Sequence, residues 1–164
     1  MDAVKNNEDK IKDILVKRFS LHESHSYVWM YNDECKALGI EVEDNIKLVN
    51  ATNPNIETIR KSIIPTQLCQ VKYNTSYGTD FGVFEVGRVV EGVGADGLCD
   101  EHKKLAITLF SKTKNVEQLY YELRDILAVA TDDIKHQELS FEKMEATKSY
   151  QHLKNLNKIF CAGK

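Results

Sequence analysis

Between residues 7 and 19 the apolar positions Ile11, Ile14, Leu15 and Phe19 recur at helical spacing, with Lys10, Asp13 and Lys17 around the other side. That pattern predicts an amphipathic helix with one face turned to a core. Residues 23–29 predict a strand, and Asn32 can cap a short helix that runs through Lys36 and stops near Gly39. Residues 46–49 predict a short strand, Asn53-Pro54 a turn whose proline keeps the residue before it extended, and residues 56–62 a short helical turn. Pro65 suits the first position of a further helix, where its missing N–H costs nothing, and Leu68, Cys69 and Val71 carry that helix toward Tyr77.

In the second half, residues 81–90 predict a buried strand, 92–97 a glycine-bearing loop and 104–110 a returning strand, together a hairpin. Residues 116–129 predict the strongest helix of the chain, with Leu119, Tyr120, Leu123, Ile126, Leu127 and Ala130 on one side. Residues 138–144 alternate like an edge strand. The closing run Ile159-Phe160-Cys161-Ala162-Gly163-Lys164 starts a strand and stops, as a piece cut from something longer would. Hairpin connections without a regular βαβ alternation point to the α+β class, a largely antiparallel sheet flanked by helices, with residues 1–164 forming a single domain.

A chain of 164 residues, 42% hydrophobic and 29% charged, can bury roughly 70% of its unfolded surface around one core. The formal net charge of −3 excludes a dedicated nucleic-acid binder. The one acid-free basic stretch, residues 147–164 with Lys148, Lys154, Lys158 and Lys164, reads as a solvated terminal face. Cys35, Cys69, Cys99 and Cys161 form no CxxC pair and no signal peptide opens the chain, so the expectation is reduced thiols in a cytoplasmic protein. No apolar run approaches the ~20 residues that span a bilayer, and no membrane is expected as a partner.

Three motifs suggest chemistry. Gly92-Val93-Gly94-Ala95-Asp96-Gly97 spells GxGxxG after a strand, but the dinucleotide fingerprint needs a helix to open next, and here a strand follows. The glycines are expected to serve the turn. His22 and His25, with Cys35, could be offered to a metal; three positions apart on a strand, the two histidines face opposite ways. The cysteines lack a context that would activate a thiolate and read as small buried hydrophobes.

Three stretches carry a resemblance. Ile11-Lys12-Asp13-Ile14-Leu15-Val16 leading to Glu23-Ser24-His25-Ser26-Tyr27-Val28, then Asn53-Pro54 with Ile59-Arg60-Lys61-Ser62-Ile63-Ile64-Pro65, then Phe84-Glu85-Val86-Gly87-Arg88-Val89, resemble in order and spacing the core module of the phenylalanine–tRNA ligase β subunit. The resemblance covers nearly the whole chain and implies a class II aminoacyl-tRNA synthetase core-like domain, truncated before the motif 3 region. Motif 2 of active relatives carries an arginine that grips the ATP α-phosphate and stabilises the charge built up in adenylate formation; the matching position here is Glu91. The proline ending motif 1 is matched by Tyr27. The resemblance therefore implies a module without catalytic residues, cofactor or metal of its own, within an enzyme that uses ATP and magnesium to charge tRNA(Phe). Its α subunit would be the partner. Arg60, Pro65, Phe84, Glu85, Gly87 and Arg88 are read as structural, with Arg60 and Glu85 pairing beneath the sheet and Gly87 allowing close packing. Ile11, Ile14, Leu15, Val16 and Phe19 are expected at the α-subunit interface, and the isolated chain is expected to self-associate through them. Two alternatives are an active adenylating enzyme in which Lys103 or Lys104 replaces the missing arginine, and a free-standing homodimeric binding domain.

Overall fold

The computed structural model describes residues 3–40 and 45–132. The strand expected over residues 138–144, the closing run from Ile159, the basic stretch 147–164 and Cys161 lie outside them. Helix α1 (Ala3–Phe19) leads into β1 (His22–Glu23), β2 (Trp29–Met30) and α2 (Asn32–Ala37). A short 3-10 helix (Pro54–Ile56), β3 (Thr58–Ile59), α3 (Ile64–Asn74), β4 (Asp80–Val93), β5 (Cys99–Ser111) and α4 (Val116–Thr131) follow.

The frame is a hairpin. β4 and β5 pair antiparallel from Asp80↔Ser111 to Val93↔Cys99, with one register shift between Val90 and Gly92 that leaves Glu91 as an extra residue. β1 adds to the free edge of β4 in parallel, His22 opposite Val83, giving the order β1-β4-β5. A second, two-stranded sheet joins β2 to β3.

Alternation along β4 sends Phe84 to one face and Glu85 and Gly87 to the other. On the Phe84 side, Leu15 of α1 and Leu119, Leu123, Ile126 and Ala130 of α4 close over Phe84, Ile107 and Leu109, with Ile11, Ile14 and Phe19 packed at the margin. Each fully buried aliphatic or aromatic side chain there stabilises the fold by about 1.5–3 kcal/mol. α4 starts cleanly because Asn115 and Gln118 form a reciprocal capping box. On the opposite side, α3 lays Ile63 and Ile64 against Val89 and Ala106.

Several local expectations give way to tertiary pairing. The strand expected over residues 23–29 is split. Ser24 bonds Phe84 O through its N–H, the chain then leaves β4, and Trp29–Met30 pairs with β3 instead. The helical turn expected over 56–62 lies earlier: the Asn53 side chain accepts from Asn55 N–H and Pro54 opens the 3-10 turn, while β-branched Thr58 and Ile59 join the small sheet. Residues 46–49 contribute one bridge, Lys47 to Thr58. Tyr31, not Asn32, occupies the N-cap of α2; the Asn32 amide donates to Pro54 O instead. Pro65 is the second residue of α3, still in the first turn where a proline is tolerated.

Candidate functional site

The helix α3 side of the hairpin holds a polar core built around Arg60. Its guanidinium donates from Nη2 to Glu85 Oε1 at 2.8 Å, from Nη1 to Ser26 Oγ at 2.5 Å and Thr66 Oγ1 at 3.2 Å, and from Nε to the Arg88 carbonyl at 2.9 Å. Ser26 passes the connection on, donating to Glu85 Oε2 at 2.6 Å. Arg60 and Glu85 are 1% and 2% exposed, so neither charge reaches water and each depends on the other. The backbone joins in: Arg60 N–H donates to Val28 O and Val90 N–H donates to Arg60 O, linking the small sheet to β4. A Cβ at Gly87 would come within 2.6 Å of Glu85 Oε1 and closer still to Arg60 Nη2. Only glycine leaves room for the pair.

Beside this network, Gln67 is fully buried; its Nε2 donates to Ala106 O and its Oε1 accepts from Thr108 Oγ1. The chain's own side chains thus fill this face of the hairpin around Glu85 and Gly87. Sequence reading missed Ser26, Thr66, Gln67 and Thr108. The available signal was Gln67 standing directly before Leu68 and Cys69 inside an apolar helix pattern, which marks a buried polar group in need of partners.

The positions expected to be degenerate lie elsewhere. Glu91, at the bulge, is about half exposed and forms a hydrogen-bonded ion pair with Lys104, whose ammonium holds the Glu91 carboxyl below the usual glutamate range. His102 Nε2 lies 3.0 Å from Asp100 Oδ1 and 4.0 Å from Glu91 Oε2. The bulge brings these three potential cation ligands to one exposed face, but Lys104 already balances Glu91. Lys103 pairs with Glu8 at 2.7 Å. Tyr27 is 66% exposed and stacks on Trp29, ring centroids 4.9 Å apart and 9° from parallel. Arg88 points outward to Glu101. Pro65 and Phe84 are buried.

Of the helix α1 residues expected at an interface, Leu15 is fully buried and Ile11, Ile14 and Phe19 pack on the domain's own core, leaving Val16 exposed. The two histidines and Cys35 separate: His25 approaches Glu23 at 3.5 Å, His22 lines a cleft, and Cys35 is buried. Burial pushes the Cys35 thiol up to about 11 and the Cys69 thiol to about 12. Both stay protonated and unreactive at neutral pH. In the 92–97 loop only Gly97 has a positive φ, 78°, so the turn requires one of the three glycines.

The hairpin flanked by α1 and α4 on one face and α3 on the other is an α+β, class II aminoacyl-tRNA synthetase core-like fold, as its structural neighbours show. The chain is similar to the solved structure of Desulfitobacterium hafniense PylSc, a pyrrolysyl tRNA synthetase, with a TM-score of 0.65 and 14% identity over 88% of this chain and 49% of that one. It is also similar to the pyrrolysyl-tRNA synthetase of the same organism, with a TM-score of 0.63 and 16% identity over 85% and 50% of the respective chains. At such identity the likeness is one of fold, and the chain spans about half the length of these relatives. No curated protein matches it in a sequence comparison. The chain belongs to the phenylalanyl tRNA synthetase beta chain CLM domain family, whose model matches residues 2–164. None of the helices among the described residues is long and apolar enough to cross a membrane.

Proposed function

We propose that this domain is a non-catalytic core-like module of a cytoplasmic phenylalanine–tRNA ligase, supporting assembly with the α subunit and the charging of tRNA(Phe), while ATP and magnesium are used by the intact enzyme. The observation that carries this reading is Glu91. Where the resemblance places a phosphate-gripping arginine, a carboxylate stands in an ion pair with Lys104, and a carboxylate repels a triphosphate. The alternative of a relocated cation is disfavoured because Lys103 and Lys104 each face an acid of their own.

Saturating ATP with magnesium, or phenylalanine, should leave the melting temperature of the chain unchanged. A ligand at ~100 times its Kd would stabilise it by ~2.7 kcal/mol, so a clear rise would sink the reading. Assembly is read from what remains exposed: Val16 on α1, and Tyr27, which stacks on the half-buried Trp29 at the start of β2. Val16→Lys should weaken both self-association and capture by the α subunit with the fold intact; capture at parental strength would remove α1 from that interface.

A further inference from the structure

Just before the hairpin turn, the register sets Val90 opposite Glu101 and Gly92 opposite Asp100, so that Glu91 is the extra residue of a bulge. Bulges re-aim side chains, and here Glu91 reaches the face of β5 that carries Asp100, His102 and Lys104, alternate residues of that strand. Nε2 of His102 lies 3.0 Å from Asp100 Oδ1 and 4.0 Å from Glu91 Oε2, and one donor atom from each of the three residues falls within 4.8 Å of the others. All three side chains are about half exposed. Gly92 brings no side chain to this point, and a Cβ there would meet nothing within 4 Å, so the space beside Asp100 is open. Lys104 bonds Oε1 of Glu91, which leaves Oε2 turned toward His102. Two carboxylates against one ammonium leave a net negative charge for a cation to meet. Arg88 and Lys103, cations of the same stretch, pair with Glu101 and Glu8 on the other face of the hairpin.

The imidazole separates this set from a group of surface acids. A Zn²⁺ ion holds nitrogen and oxygen donors at about 2.0–2.2 Å, which puts neighbouring donors about 3–3.5 Å apart. The His102–Asp100 separation already has that value, and a rotation of the Glu91 side chain brings the third donor in. One nitrogen and two carboxylate oxygens suit a borderline divalent cation, whereas Mg²⁺ and Ca²⁺ require oxygen donors throughout. We propose that Glu91, Asp100 and His102 bind one divalent cation of the Zn²⁺ type through Glu91 Oε2, an Asp100 carboxylate oxygen and His102 Nε2. The metal replaces the hydrogen bond between imidazole and Asp100, water completes its coordination, and the ion clips β4 to β5 across the bulge. The resemblance implied no metal for this domain, so the site goes beyond the reading of the chain as a ligase module. It needs neither ATP nor a partner, and its failure would leave that reading in place.

The full chain, kept reduced and labelled with 15N and with 13C in its histidine rings, should be titrated with zinc chloride and separately with magnesium and calcium chloride. Zinc is expected to shift the His102 ring and the amides of Gly92 and Asp100, saturating as a single site; magnesium and calcium at the same concentrations are expected to shift none of them. His102→Ala and Asp100→Asn, both at exposed positions, should each weaken zinc at least tenfold. His25→Ala and Cys99→Ser, which change a histidine and a thiol outside the set, should titrate like the parent. Lys104→Met should tighten zinc severalfold, because it removes the ammonium that competes for Glu91, a gain that loss of a purely structural ion pair would not produce. Zinc that leaves the His102 ring unmoved, that binds the His102→Ala chain as tightly as the parent, or that is lost with Cys99 instead of His102 is adventitious chelation only and overturns the proposal. Magnesium binding as tightly as zinc, or a Lys104→Met chain that binds zinc no better than the parent, would overturn it too.

Discussion

The β4–β5 hairpin holds two glutamates against cations, Glu85 in mid-strand and Glu91 near the turn, and the two pairs have opposite characters. In mid-strand, Arg60 and Glu85 are sealed between the sheet and α3, with Ser26, Thr66 and the Arg88 carbonyl completing their hydrogen bonds. At the outer end, Lys104 and Glu91 sit 40% and 45% exposed beside His102. Water screens the outer pair, and holding two long side chains together offsets what attraction remains. The buried pair has no such alternative: a buried charge without its partner is strongly unfavourable, so each residue fixes the position of the other and of the segments that carry them. One constellation is architecture. The other is surface.

The largest expected effect comes from breaking the buried pair on one side only. Arg60→Ala should destabilise the domain by about 3–5 kcal/mol in denaturant unfolding, because Glu85 is left buried and uncompensated. Arg60→Met with Glu85→Leu should recover most of that loss, since apolar groups of similar volume need no partner. A single variant no less stable than the double would mean that the pair is not sealed from water. A smaller effect separates the two glycines of the hairpin. Gly87→Ala intrudes on Arg60 and Glu85 and should cost about 1–3 kcal/mol as an overpacked site. Gly97→Ala meets open space but must hold φ at 78°, a cost of about 1–2 kcal/mol. Equal losses from the two, by thermal unfolding, would erase the distinction between steric and backbone demand.

The smallest effect concerns Glu91. Its carboxyl is held below the usual range, first by the hydrogen bond from Lys104 and then by its charge. A lowered folded-state pKa means that any stability from this pair is present above the unfolded-state value and lost as pH falls through the lowered one. Carboxyl titration by NMR should find Glu91 below an ordinary glutamate, and Lys104→Met should move it back up with little change in melting temperature. A Glu91 that titrates normally in the parent would sever the pair and reopen the outer end of the hairpin to other partners.

Much of this was legible in the residues because the relevant forces are local. The helical periods of α1 and α4, the glycine loop between two apolar runs, and the tolerance of Pro65 in a first helical turn depend on neighbours a few positions away. The Phe84-Glu85-Val86-Gly87-Arg88 run, read with Arg60, led to the family and to the buried pair alike. Other features required the assembled fold. The segment after β1 could not be divided by pattern alone, since only the competition between β4 and β3 for hydrogen bonds ends one strand and begins another. The stripe of Ile11, Ile14 and Phe19 reads equally as interface or core, and α4 closing over the same face decided for core. Of the five residues expected at the interface, Val16 alone remained exposed and off that core. The partners Gln67 finds in Ala106 O and Thr108, and the Gln70 acceptor left without one among the described residues, are invisible in sequence for the same reason. Whether a polar atom is buried, and what it meets there, is settled by chain segments tens of residues apart, and no local period encodes that meeting.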